Sequence, residues 1–256
     1  MFMDLKNNVV FFQAINVVAF AVTVLVNGLA GSTTLLGGVT SADVSDRYPT
    51  LVTPAGFTFA IWGIIYTLLA VFIIYQLLAK NKTFLQQVGV FFALSSLLNI
   101  CWLFLWHYNL ISYSLILMFG LLASLILVYL RLDIGRATVS LKERICVHFP
   151  FSVYLGWISI ATIANVSVAL TAVGWDGFGI PDETWAVVII CVASVLTLAM
   201  LVLRKDVAFS LVVVWALVGI LSKQGDYGNI VLSAEVAISV ILVVAVAVVL
   251  ASRLKR

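Results

Sequence analysis

Residues 56–79 read GFTFAIWGIIYTLLAVFIIYQLLA, a run without a single charge or proline. A helix rises about 1.5 Å per residue, so roughly 20 consecutive apolar residues span the hydrocarbon of a bilayer. In hydrocarbon the backbone N–H and C=O groups must be satisfied internally, which leaves only helices and closed barrels. Barrel strands alternate apolar and polar residues over ~10 positions. The run 56–79 does not alternate and is about twice that length, so it predicts a transmembrane helix.

Working outward, the same pattern recurs at about 9–31, 84–106, 110–131, 145–171, 184–203, 206–223 and 230–252, the seventh run being the shortest. The first run is longer than the ~7–15 apolar residues of a signal-peptide core, and its leader carries one lysine, so it is read as a helix. The whole chain is 64% hydrophobic and 10% charged, against roughly 25% charged in a soluble domain. The expected fold is all-α, a polytopic membrane bundle of about eight transmembrane helices.

Charge tests that count. With eight helices, Lys6, Lys80, Lys82, Arg131, Arg136, Lys142, Arg144, Arg204, Lys205, Arg253, Lys255 and Arg256 fall on one side, twelve of the fourteen basic residues. Only Arg47 and Lys223 fall on the other. Basic residues in short loops stay in the cytoplasm, so both termini are expected there, in a prokaryotic plasma membrane. A net charge of +3 confined to such loops gives no footprint for nucleic acid. The outer loops carry Asp43, Asp46, Asp176, Asp182, Glu183 and Asp226, read as a solvated acidic face.

Two outer loops are long, about 32–55 and 172–183, with prolines at 49, 54 and 181. Loops of that size in a compact bundle are often lids or binding loops. Helices 2 to 5 are rich in Trp, Tyr, Phe and Asn, whereas helices 6 to 8 are mostly Val, Ala, Leu and Ile. The composition therefore shifts between helix 5 and helix 6. No internal repeat supports an inverted-repeat transporter.

Polar residues within the runs fall on single helical faces. Asn16, Thr23 and Asn27 share one in helix 1, Phe59, Trp62 and Tyr66 in helix 2, and Asn99, Trp102 and Trp106 in helix 3. In helix 5, Tyr154, Trp157, Ala161 and Asn165 stand at i, i+3, i+7 and i+11. Such stripes serve as interhelical glue, with amides bonded between helices and rings filling gaps. They also suit a mainly apolar pocket with a few placed polar groups, the usual form of a small-molecule site.

Catalytic and metal signatures are missing. His107 and His148 are predicted at opposite membrane faces, too far apart to share a metal. Cys101, Cys146 and Cys191 lie in apolar runs with unrelated spacing and read as small membrane-embedded hydrophobes. No HExxH, GxSxG or phosphate loop is present. No cofactor is expected. Glu235, the one acid within an apolar run, is either a proton or ion site or a group reaching water near the helix end. Lys223 sits at a helix end, not deep in a late helix as a retinal protein requires.

Three stretches carry a resemblance: TPAGFTFAIWGIIYTLL (53–69), LNICWLFLW (98–106) and YLGWISIATIANVSVAL (154–170). Together they resemble the TspO/translocator family, also called tryptophan-rich sensory proteins or peripheral benzodiazepine receptors. The family's second helix opens on prolines and runs Phe-x-x-x-Trp-x-x-x-Tyr; Pro54, Thr58 in place of the Phe, Trp62 and Tyr66 take those places. Its Leu-Asn-x-x-Trp is matched by Leu98, Asn99 and Trp102, and its fifth-helix motif by Tyr154, Leu155, Trp157, Ala161 and Asn165. The double proline is reduced to Thr53–Pro54, the following Trp is Gly56, and the fifth-helix Pro is Val153. These departures alter the mouth of the expected pocket.

The resemblance covers about residues 9–171 and implies a five-helix core opening toward the loop after helix 1, with three additional helices beyond it. It implies a receptor or carrier for a hydrophobic, planar ligand, porphyrin-like or sterol-like, and a possible homodimer in the lipid bilayer. The ligand-lining residues it implies are Trp62, Tyr66, Asn99, Trp102, Tyr154, Trp157 and Asn165, with lining and stacking roles. Two rival readings are a secondary transporter using Glu235 and a membrane-embedded enzyme acting on lipid or tetrapyrrole.

Overall fold

The computed structural model describes residues 2–33 and 35–254, with side chains from residue 8 onward apart from Ser32, Ala42 and Arg253. Lys6, Arg253, Lys255 and Arg256, part of the expected topology signal, lie outside the residues so described. The long helices are α1 (Phe2–Ser32), α2 (Ile61–Leu78), α3 (Phe91–His107), α4 (Ile111–Arg131), α5 (Phe149–Ala172), α6 (Asp182–Ala199), α7 (Val207–Lys223) and α8 (Gly228–Leu254). Six of these segments are long and apolar enough to cross a membrane, and α3 and α7 are shorter apolar helices. The protein is a polytopic helical membrane bundle.

The first five helices close a ring. Helix α1 packs on α2 and α3, α3 on α4, α4 on α5, and α5 back on α2. The remaining three form a second group in which α6, α7 and α8 pack on one another, and α7 joins them to the ring through α5. Helix α7 can approach closely because Gly156 of α5 has no side chain. A Cβ there would stand 3.2 Å from the Phe209 carbonyl oxygen, the small-residue contact that lets membrane helices pack backbone to backbone.

A buried carboxylate ties the same junction together. Asp206 caps α7 by accepting from Phe209 N–H (3.1 Å) and also accepts from Tyr129 of α4 (2.8 Å) and Ser152 of α5 (2.5 Å). Nearby, Arg204 pairs with Asp133 at 2.5 Å. Above this end of the ring, Phe72, Phe84, Phe92 and Phe151 pack edge to face with centroids 5.0–6.3 Å apart. The geometry is the one aromatic quadrupoles favour, and it fills the ring between α2, α3 and α5.

Two helices depart from the expected outlines. The run 84–106 is broken into a short helix, Thr83–Val88, and α3, with Gly89 at φ 55° between them. Arg131 supplies the missing donors at the break, reaching the carbonyls of Gln86 (2.8 Å) and Gln87 (2.6 Å). Helix ends leave such carbonyls without intrahelical partners. A π turn at Arg144–His148 leads directly into α5, whose second residue is Pro150. Proline inside a helix lacks an N–H and crowds the carbonyl four residues back, and the widened turn relieves that clash.

Candidate ligand-binding site

At the opposite end of the ring, the loop between α1 and α2 folds over the helices. It contains a short helix, Ser41–Asp46, started by a capping box in which Thr40 N–H donates to Asp43 Oδ2 (2.7 Å) and Asp43 N–H donates to Thr40 Oγ1 (3.2 Å). These bonds to Thr40 hold the Asp43 carboxyl below the usual carboxylate range. The loop is fastened to α3 and to the turn that follows it. Trp106 Nε1 donates to the Ser41 carbonyl (3.1 Å), and Tyr48 donates to Asn109 Oδ1 (3.1 Å). It is fastened to α7 as well, through Lys223–Asp46 (2.9 Å), Gln224 to the Thr50 carbonyl (3.3 Å) and Ala55 N–H to the Gly219 carbonyl (3.0 Å).

Beneath this cover lies a cavity of about 40 Å³ walled by four tryptophans, Trp62, Trp102, Trp106 and Trp157. Phe59, Asn165 and small α5 residues complete the walls, and Ser45, Thr53 and Pro54 of the covering loop close the top. The aromatic packing continues sideways. Trp62 stacks on Tyr66 (5.6 Å, 17°) and meets Tyr154 and Trp157 edge on, each at 6.2 Å. Trp102 stacks on Trp106 at 5.7 Å.

The residues expected to line a site divide into three groups. Trp62, Trp102, Trp157 and Asn165 line the cavity itself. Tyr66 and Tyr154 stand behind Trp62 as its ring partners. Asn99 turns to α1, where its Oδ1 accepts from Asn27 (2.8 Å), so its visible role is to join two helices. Asn165 is shared between tasks: it accepts from Trp102 Nε1 (3.2 Å) and donates to Ser114 (3.4 Å). Trp106, which shares the helical face of Asn99 and Trp102, also lines the cavity although the family motif does not include it. Ser45 came from a loop helix too short to leave a periodic signal.

Among the described residues, three polar atoms of the expected site residues are buried without a hydrogen-bond partner: Trp157 Nε1, Tyr66 Oη and Asn99 Nδ2. Buried donors are nearly always satisfied, and leaving one alone costs roughly 1–3 kcal/mol. Trp157 is only 2% exposed and lines the cavity. Its indole N–H is therefore a buried, unpaired donor on a residue of the cavity wall.

The sequence model of TSPO-like proteins matches residues 13–250. The chain belongs to the TSPO-like family. The match continues past α5, so it takes in the three C-terminal helices along with the five-helix ring. No curated protein and no solved structure matches the chain. Membership in the TSPO-like family makes it a membrane receptor or carrier of the TspO type.

Among the described residues no three His, Cys, Asp or Glu side chains stand close enough to hold a metal. His107 is buried, with Nδ1 2.8 Å from the Leu103 carbonyl and Nε2 3.5 Å from Ser41 Oγ, and so serves the covering loop. Glu235 lies exposed on α8, away from the ring interior.

Proposed function

We propose that this TSPO-like protein binds a hydrophobic, planar molecule carrying hydrogen-bond acceptors, porphyrin-like or sterol-like, in the aromatic site beneath the covering loop. The observation that carries the reading is the unpartnered Trp157 Nε1 in the wall of that site. Flat rings stack on Trp62 and Trp102, while the waiting indole N–H and the Tyr66 hydroxyl select acceptors on the ligand rim. A cavity of about 40 Å³ has room only for water-sized guests, whereas ligand pockets run to about 300–1,000 Å³. Binding therefore requires the loop to act as a lid and the rings to part. The lid faces outward and both termini face the cytoplasm, as the lysine and arginine distribution favours.

The test is a titration of purified protein with protoporphyrin IX, followed by tryptophan quenching. Wild type is expected to bind saturably. Trp157→Phe keeps a ring but deletes the N–H and is expected to weaken binding about tenfold, the worth of one buried hydrogen bond. Equal affinity in a folded Trp157→Phe protein, or quenching that never saturates, would overturn the reading.

A further inference from the structure

A second, larger space lies on the other side of α5. It has a volume of about 1190 Å³ and runs between α5 and α6, under the loop residues 49–52. Helix α5 is the wall between the two: Ala161, Ala164 and Asn165 face the aromatic site, and Ile163, Val166 and Leu170 face the groove. Along α5 the groove extends from Thr162 to Thr171, about 14 Å at 1.5 Å per residue.

Its two ends differ in chemistry. The deep part is apolar, with Ile163 and Val166 opposite Ile189 and Val192. Val188 and Val192 are 44% and 59% exposed, so this part opens sideways toward lipid. The mouth holds Asp46, Asp182, Glu183 and Lys223. Lys223 is already committed to Asp46 at 2.9 Å, and no basic side chain among the described residues pairs with Asp182 or Glu183. The mouth thus carries, in the first turn of α6, two carboxylates with no basic side-chain partner among the described residues. Beside those carboxylates stand Trp175 and Trp185, ring centroids 5.3 Å apart, with Tyr227 also in the lining.

We propose that this groove is a binding site for an amphiphilic cation, an ammonium head on a single apolar tail. The head sits at Asp182 and Glu183 against the Trp175 and Trp185 faces, since aromatic faces and carboxylates both attract ammonium groups. The tail lies along Val166 and Ile189, where burial of apolar surface holds it. An anionic head would meet two unpaired carboxylates, so the site rejects the alkyl sulfate of the same length. This site is separate from the one proposed above and stands without it.

The experiment uses the full chain in nanodiscs of zwitterionic lipid and a nitroxide-labelled dodecyl dimethylammonium probe, read by electron paramagnetic resonance against empty nanodiscs. A saturable immobilised component is expected. It should be absent with the labelled dodecyl sulfate, weakened about tenfold in Asp182→Asn/Glu183→Gln, and retained in Asp182→Glu/Glu183→Asp. Val166→Trp, which fills the groove from its wall, should abolish it. Each variant is first shown to be folded by its thermal unfolding, and protoporphyrin quenching is measured in parallel to separate this site from the aromatic one. Equal immobilisation of the cation and the sulfate, or an unchanged affinity in the two carboxamide substitutions, would overturn the proposal.

Discussion

Gly219 of α7 and Thr58 in the turn before α2 leave no room for a methyl group between them. A Cβ at position 219 would overlap Thr58 Cγ2 and stand 2.9 Å from Pro54 Cβ. The contact is reinforced by Ala55 N–H on the Gly219 carbonyl (3.0 Å) and Trp215 Nε1 on the Thr58 carbonyl (3.0 Å). The C-terminal helices thus hold the entrance of the five-helix ring as well as packing on its flank. Gly219→Ala should destabilise the protein by roughly 1–3 kcal/mol, the usual cost of overpacking. Thr58→Ser removes the obstructing methyl while keeping its hydroxyl bond to Ala55, and the double variant should recover much of the loss. Thermal unfolding of the two single variants and the pair checks this; additive losses would place the strain elsewhere.

At the other end of the same helix, Asp206 is the acceptor on which three donors from α4, α5 and α7 converge. Asp206→Ala strips the partner from two buried hydroxyls and an N-terminal amide. Each orphaned group costs about 1–3 kcal/mol. Ser152→Ala removes one donor and leaves the carboxylate two others, so its loss should be clearly smaller. Chemical or thermal unfolding ranks the two, and equal effects would mean that Asp206 is not the shared acceptor.

Tyr66 offers a prediction with two signs. Its hydroxyl is buried without a partner, so Tyr66→Phe should leave the ligand-free protein as stable as wild type or slightly more so. If the hydroxyl waits for a ligand acceptor, the same change should weaken protoporphyrin binding several-fold. Unfolding temperature and quenching titration are measured on one preparation. A fall in stability with unchanged affinity would assign the hydroxyl to the fold alone.

Much of this architecture is written in local pattern. Each long helix follows from a long apolar run, because hydrocarbon admits little else. Trp62, Trp102, Trp157 and Asn165 could be placed on shared faces because helical spacing fixes them before any packing is known. The break at Gly89 was hidden because the apolar pattern runs through it, and the Arg131 donors that stabilise it come from another helix. Ser45 and the covering loop depend on contacts with α3 and α7 that no periodicity records. The groove beside α6 was hidden for a related reason: beyond its first turn α6 is apolar all round, so sequence alone does not say which face packs on α7 and α8 and which is left open toward α5.

The last prediction concerns the fastening of that loop. Lys223 and Asp46 meet at 2.9 Å, but their side chains are 33% and 65% exposed. Exposed pairs contribute about 0–1 kcal/mol and are screened by salt. Lys223→Ala should therefore barely move the unfolding temperature. Its effect should fall on access: with one of the ties to α7 gone, the loop opens more often and protoporphyrin enters faster. Stopped-flow quenching should show a raised association rate in Lys223→Ala, matched in wild type by raising the salt concentration, while Asp46→Asn behaves like Lys223→Ala. Trp106→Phe deletes the bond to the Ser41 carbonyl and should raise the rate independently of salt. If none of the three changes alters the association rate, the loop does not govern entry, and the ligand must reach the aromatic site between the helices from the lipid side.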